Sequence, residues 1–317
     1  MSYSTVWKEK QRVMKELFGD WGNTFRMLYN FRAELQLRSP GSVCEIDTYV
    51  QDDGKVFFSR FFMAMKPCLD GFKAECRPYL SIDSTALNEK WNGQLAAAIA
   101  IDGNNWMFPV AMGLFQSETE ANWTWFMTQL YISLGHMNPL AICTDASKGL
   151  ENAVKTVFPH AKRRECFVHL WFNLVKMFQG KVFGRMWPAA RAYRQDTFKY
   201  HMDKMLSVSK GGCPEFRVYL KTYRSLLRYR SVFNTDIKVD HINNHLAESF
   251  KSWIRDLKDL PVHELVDNIR TRIINLFNIS RQIGDKLHHY KLPTVVQQLV
   301  CKSRGLGHYH VVNASTN

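Results

Sequence analysis

Three carboxylates in this 317-residue chain have the types and placement to do chemistry together. Asp83 closes the apolar run "PYLSID", Asp145 closes "PLAICTD", and Glu248 stands within "NNHLAESFKSWI". Two carboxylates a few ångströms apart repel each other unless a cation lies between them. Hard oxygen donors select Mg²⁺ or Mn²⁺. A third carboxylate would complete a two-metal site with ions about 4 Å apart, one making a hydroxide or 3′-hydroxyl nucleophile and the other steadying the leaving oxygen. Asp83, Asp145 and Glu248 are therefore the candidate catalytic residues and the candidate ligands for Mg²⁺ or Mn²⁺, with two ions expected.

The surrounding elements must bring them together. "PYLSID", "QLAAAIAID" and "MFPVAMGLFQ" read as an antiparallel meander, and Asp102-Gly103 is a turn signal rather than a ligand site. "TEANWTWFMTQLYISLG" has a helical period, with Thr119 or Asn122 as its cap and Trp123 and Trp125 as core residues. "PLAICTD" is apolar throughout, as expected of a strand covered on both faces. A helix over "SKGLENAVKTVF" and a short strand running into a helix over "AKRRECFVHLWFNLVKMFQ" follow. The order predicts an α/β, ribonuclease-H-like mixed five-stranded sheet flanked by helices. If the fourth strand pairs parallel to the first, Asp83 and Asp145 share the carboxyl edge, where open α/β sheets bind ligands. Downstream, Leu246, Phe250, Trp253 and Leu257 form one helical stripe. Glu248 lies opposite, beside Asn244, Lys251 and Arg255, and Asn243-Asn244 is expected to cap that helix. Taken alone, Glu248 is an ordinary residue of a wet face; the two aspartates give it a partner set. The expected organisation is a helical and hairpin region over 1–75, a core over 76–174 and 239–285, an all-helical insertion over 175–238, and a tail over 286–317.

Charge adds a second clue. The chain has 42 Lys and Arg against 29 Asp and Glu, a net charge of +13. Residues 161–230 hold 16 basic and four acidic residues, with Tyr193, Tyr200, Tyr219, Tyr223 and Tyr229 interleaved. Such a stripe favours a polyanion, most simply nucleic acid, although a solvated helical surface would also be basic. Lys148, Arg163, Arg164, Lys181, Arg185 and Arg191 are the candidate DNA contacts, to the backbone and salt-dependent. The apolar fraction of 46% and aromatic fraction of 13% predict a folded protein. No apolar run is long enough to span a membrane, and the start of the chain lacks the apolar core of a signal peptide. Seven cysteines without any Cys-x-x-Cys point to reduced thiols. Cys166 and His169 supply only half of a zinc site. His169 reads instead as a polar contact near the metals or DNA, or as a partly buried histidine with satisfied nitrogens.

The stretches "LSIDSTALNEKWNGQLAAAIAIDGNNWMFPVAMGLFQSETEANWTWFM", "ICTDASKGLENAVKTVFPHAKRRECFVHL" and "NNHLAESFKSWI" resemble the transposase domain of Mutator-like elements, the MULE superfamily of plant DNA transposons. They span about residues 76–260, and the leader "PGSVCEIDTY" is also similar. The resemblance implies a DDE triad carried on Asp83, Asp145 and Glu248, and a Cys-x-x-His signature matched by Cys166 and His169. It implies DNA cleavage and strand transfer at transposon ends in the nucleus, with terminal repeats and target DNA as partners and a homo-oligomeric assembly. Two positions depart from the family pattern: Asp83-Ser84-Thr85-Ala86 stands for Asp-Gly-Thr-His, and Lys251 stands where the family has Asn. The zinc modules that flank the core in full-length relatives have no matching Cys/His pattern here, so the likeness is to the catalytic core. The same family has given rise to plant transcription regulators that bind DNA without transposing, which is the rival expectation. A host-repair nuclease is a third, and it leaves the helical insertion without a role.

Overall fold

The computed structural model describes residues 21–88, 91–145, 147–178, 186–208, 229–287 and 292–304, with a few isolated positions near the two ends. After helix α1 (Trp21–Arg38), the chain forms a hairpin of β1 (Val43–Val50) and β2 (Val56–Ala64), then α2 (Lys66–Glu75). The meander is β3 (Tyr79–Ala86), β4 (Gln94–Ile101) and β5 (Met107–Phe115). Next come α3 (Glu120–Leu134), β6 (Ala141–Thr144), α4 (Lys148–Val157), β7 (Lys162–Glu165) and α5 (Phe167–Phe178). The basic region contributes α6 (Met186–Arg191) and α7 (Gln195–Val208). The chain then returns through α8 (His245–Trp253), the long α9 (Val262–Asp285) and α10 (Pro293–Ser303).

One mixed sheet runs β1-β2-β5-β4-β3-β6-β7. It has seven strands rather than the expected five, because the leader hairpin extends the meander. β2 pairs antiparallel with β5, from Arg60 opposite Phe115 to Met63 opposite Met112. The reason is visible in the "RFFMA" end of β2. Phe61, Phe62 and Met63 are all buried and alternate between the two faces, which a free-standing hairpin could not achieve. The meander itself is antiparallel, while β3–β6 and β6–β7 are parallel.

Both faces are covered, and β4 shows how. Leu95, Ala97, Ile99 and Ile101 point into one core with Leu28 and Leu35 of α1, Leu246 and Phe250 of α8, and Leu265 and Ile269 of α9. Ala96, Ala98 and Ala100 point into the other, with Trp123, Phe126 and Leu130 of α3 and Leu150 and Val154 of α4. The alanines let α3 approach closely. At Gly113 a Cβ would meet Phe126 Cδ2 at 2.7 Å and the Phe61 carbonyl at 3.0 Å, so only glycine fits there. Thr119 caps α3, its hydroxyl accepting from the Asn122 amide. Asp102 makes the expected turn, its carboxylate accepting from the amides of Asn104 and Trp106. A third cluster joins α5, α6 and α7 through Phe167, Leu170, Leu174, Met186, Ala190 and Met205. Among the described residues, no helix is long and apolar enough to cross a membrane.

Candidate functional site

β3 and β6 position the first two carboxylates. Tyr79, Leu80 and Ser81 pair with Ala141, Ile142 and Cys143. Continued by two residues, that register sets Asp83 abreast of Asp145, one inter-strand spacing of about 4.8 Å away. Residues two apart on a strand share a face, so both aspartates leave the sheet on the same side as Ser81 and Cys143. Asp145 then breaks the strand, its Oδ1 accepting from the Ser147 amide in a turn that leads into α4.

Asn244 locks the third segment to this edge. The sequence suggested that it caps α8, but its side chain makes no capping bond. It is 1% exposed and faces β3 instead. Its Nδ2 donates to the Ile82 carbonyl at 3.1 Å and to Asp83 Oδ2 at 3.3 Å, and its Oδ1 accepts from the Ser81 hydroxyl. Ser81 Oγ in turn accepts from the Ala247 amide, so a residue of β3 performs the cap. The Asn244 amide donates to Cys166 Sγ at 3.2 Å, which ties in the junction of β7 and α5.

Glu248 is one turn into α8, with its side chain 53% exposed. It meets Asp83 through Lys251. The Lys251 Nζ donates to Asp83 Oδ2 at 2.7 Å and to Glu248 Oε1 at 3.1 Å. The two carboxylate oxygens therefore lie no further apart than the sum of those lengths. All three sequence-expected carboxylates belong to one rim. Burial raises the pKa of Asp83; the Lys251 charge opposes that, and the Asp145 charge adds to it. Burial works against the charge of Lys251, yet Asp83 and then Glu248 outweigh it and the net shift is upward. Further cations follow along the same edge. Lys258 Nζ donates to Thr85 Oγ1, and its pKa is lowered by burial and by the charges of Lys251 and Arg255.

Cys166 and His169 sit at the other flank. The neighbouring Cys166 raises the pKa of His169 to about 9 against the effect of burial, and the charges of Asp145 and Asp83 add to the rise. The His169 Nδ1 itself is buried without a hydrogen-bond partner among the described residues. The pair is thus polar and close to the acids. The expected DNA contacts divide. Arg191 is exposed and stacks on Trp187 at 4.8 Å, Arg163 is half-buried on the edge strand β7, and Lys148 opens α4. Arg164 is a correction: it is 2% exposed and turned inward. Its Nη1 donates to the Val239 carbonyl at 2.7 Å, and its guanidinium lies over Phe233 and Tyr79 at 3.8 and 5.5 Å. The end of β7 is covered on both faces, where Arg164 and Glu165 are both buried, so position along the strand rather than charge decides exposure. Lys181 and Arg185 lie outside the described residues.

A model of the MULE transposase domain matches residues 79–173, which covers β3 through most of α5 and includes Asp83, Asp145, Cys166 and His169. Residues 79–173 form a MULE-type transposase domain. FAR1-RELATED SEQUENCE 6 of Arabidopsis thaliana is 25% identical over 149 residues, 45% of this chain and 20% of that protein. The match thus spans about a fifth of the relative's own length. Glu248 and Lys251 fall beyond the residues of the MULE match and are placed by geometry alone.

The donor set of the acid rim is the hard-oxygen kind that suits Mg²⁺ or Mn²⁺. As it stands, however, the rim does not fit a metal. Asp83 Oδ1 accepts from the Ser84 amide, and Oδ2 accepts from both Lys251 and Asn244. An ammonium holds the position between Asp83 and Glu248 that a bridging cation would need. Among the described residues, no three His, Cys, Asp or Glu side chains form a group able to hold a metal ion. Lys251 departs from the family pattern in the sequence, and a lysine three residues after Glu248 shares a helix face with it; its contact with Asp83 is long-range and carries no local pattern. Ser81 was missed because a serine inside an apolar strand carries no pattern of its own.

Proposed function

We propose that this chain is a transposase-derived DNA-binding domain that holds duplex DNA without a catalytic metal, in the nucleus. The observation that carries this is the Lys251 ammonium in contact with both Asp83 and Glu248. It balances the acid rim with the protein's own charge, so the surface can approach a phosphate backbone without a bound cation. The basic residues Lys258, Arg255, Arg163 and Arg191 supply attraction that is independent of sequence. The similarity to a FAR1-related protein supports the same reading. Fluorescence anisotropy with a labelled duplex tests it. Affinity should fall steeply with added salt and be unchanged by EDTA. Binding that needs Mg²⁺ would overturn the proposal.

The second reading is a DDE transposase core that cleaves and joins DNA at transposon ends, as a homo-oligomer holding terminal repeats and target. The alignment of Asp83 with Asp145, in a strand order β5-β4-β3-β6-β7 read as ribonuclease-H-like, favours it. Under that reading Asp83 and Glu248 would have to release Lys251 before they and Asp145 could hold Mg²⁺ or Mn²⁺, which would lower the pKa of a bound water or hydroxyl and stabilise developing charge. Nicking of terminal-repeat DNA in Mg²⁺ or Mn²⁺, abolished by Asp145→Asn, would establish it over the first.

A further inference from the structure

We propose that Lys251 is a tethered counter-ion that excludes divalent cations from the acid rim. The inference rests on the reading of this chain as a domain without a resident metal, and it names the residue responsible. Lys251 differs from the surface pairs of this protein. Lys66–Asp70 and Arg38–Glu34 join neighbours on one helix, with both partners well exposed. Lys251 joins Glu248 on its own helix to Asp83, 168 residues earlier in the chain. Its side chain is 23% exposed and its Asp83 partner is buried, so water screens this pair far less than a surface pair.

The geometry makes occupation by Lys251 and by a metal mutually exclusive. A divalent ion bridging Asp83 and Glu248 would use the oxygens that Lys251 now contacts, and it would lie within a few ångströms of a positive charge. The rest of the site favours the lysine. Asn244 donates to the same Asp83 oxygen and is itself fixed by Ser81 and the Ile82 carbonyl. That bond holds Asp83 facing the ammonium. Lys258 and Arg255 add positive charge close by, which disfavours a further cation. Reciprocity is the consequence: whatever Lys251 gains from these carboxylates, a metal must match before it can enter.

Mn²⁺ titration followed by electron paramagnetic resonance, which reports free ion directly, tests this on the full chain without reference to activity. Wild type should bind Mn²⁺ weakly. Lys251→Gln should bind at least about tenfold more tightly, since a like charge has left the site. Lys251→Arg should stay as weak as wild type, and Lys251→Gln with Asp83→Asn should lose the gain. Circular dichroism on each variant checks that the fold is retained. Should Lys251→Gln misfold, Lys251→Met, which keeps the length of the side chain, takes its place. Equal Mn²⁺ affinity in wild type and the neutral variant would overturn the proposal, as would a folded neutral variant that gains nothing. The outcome is independent of the EDTA test on DNA binding. A metal-dependent wild type removes the parent reading, whereas a metal-free wild type whose neutral variant gains no Mn²⁺ removes only the role of Lys251.

Discussion

Arg164 and Lys251 both bring positive charge to the β3-β6-β7 end of the sheet, and they are held in different ways. Arg164 is enclosed by two aromatic rings and one backbone carbonyl. Lys251 is held by two carboxylates at a rim that opens to solvent. A guanidinium tolerates rings because its charge is delocalised and weakly hydrated; an ammonium is a compact, strongly hydrated charge and needs anions. Arg164 thus acts as a strut that ties the segment before α8 to the sheet. Lys251 acts as an ion that happens to be covalently attached. Arg164 therefore serves stability, and Lys251 competes with cations for the acid rim.

The largest effect is expected from Arg164→Ala. The substitution removes a buried hydrogen bond and leaves a cavity between Phe233 and Tyr79, a combined loss of roughly 3 kcal/mol. Urea unfolding should read that loss, while the salt dependence of DNA binding by the folded variant should be that of wild type. A shallower salt slope would show that Arg164 meets phosphate after all, and the comparison would fail.

The next effect tests the Arg164 end through its neighbour. His241 packs edge-on against the Tyr79 ring at 6.2 Å, the ring that Arg164 also faces. Burial lowers its pKa to about 4, and the nearby His245, Arg77 and Arg230 push the same way, partly opposed by Asp240. Its unfolded pKa is near 6.5. Between those values the unfolded chain binds more protons than the folded one, so His241 contributes stability that is complete above about pH 6.5 and lost as pH falls toward 4. The loss should be on the order of 2 kcal/mol after allowance for partial exposure. His241→Gln should flatten the unfolding free energy across that window by this amount relative to wild type. An unchanged pH profile would mean that His241 titrates alike in the folded and unfolded chains.

The same contrast shows what the sequence could disclose. The meander and the parallel pairing of β3 with β6 are legible because apolar runs ending in Asp83 and Asp145 leave few arrangements. The two extra strands are not, because a hairpin signal does not say which sheet it joins; that depends on the pairing of β2 with β5. Arg164 was misread for a related reason. A basic run on a short strand reads as surface, and only the tertiary cover over β7 turns one of its arginines inward. Asn244 was read as a local cap, but its long-range bonds to Ser81, Ile82 and Asp83 prevail over the local one. Lys251 was visible as an oddity, and its partner across the chain was not.

The smallest effect separates free from neutralised charge along the rim. Arg255 is exposed, and its guanidinium donates to the Ser252 hydroxyl at 3.3 Å, a neutral partner that leaves its charge available. Each phosphate neutralised by a protein cation adds about 0.9 to the slope of log affinity against log salt. Arg255→Ala should therefore lower that slope by about 1 and weaken binding by less than 1 kcal/mol near 0.1 M salt. Lys251→Gln should change the slope by less, because the charge it removes already answers to Asp83 and Glu248 rather than to solvent. Anisotropy titrations at four or five salt concentrations would measure both. If the two variants lose equal slope, Lys251 is exchanging carboxylates for phosphate when DNA arrives, and its ion pairs belong only to the free protein.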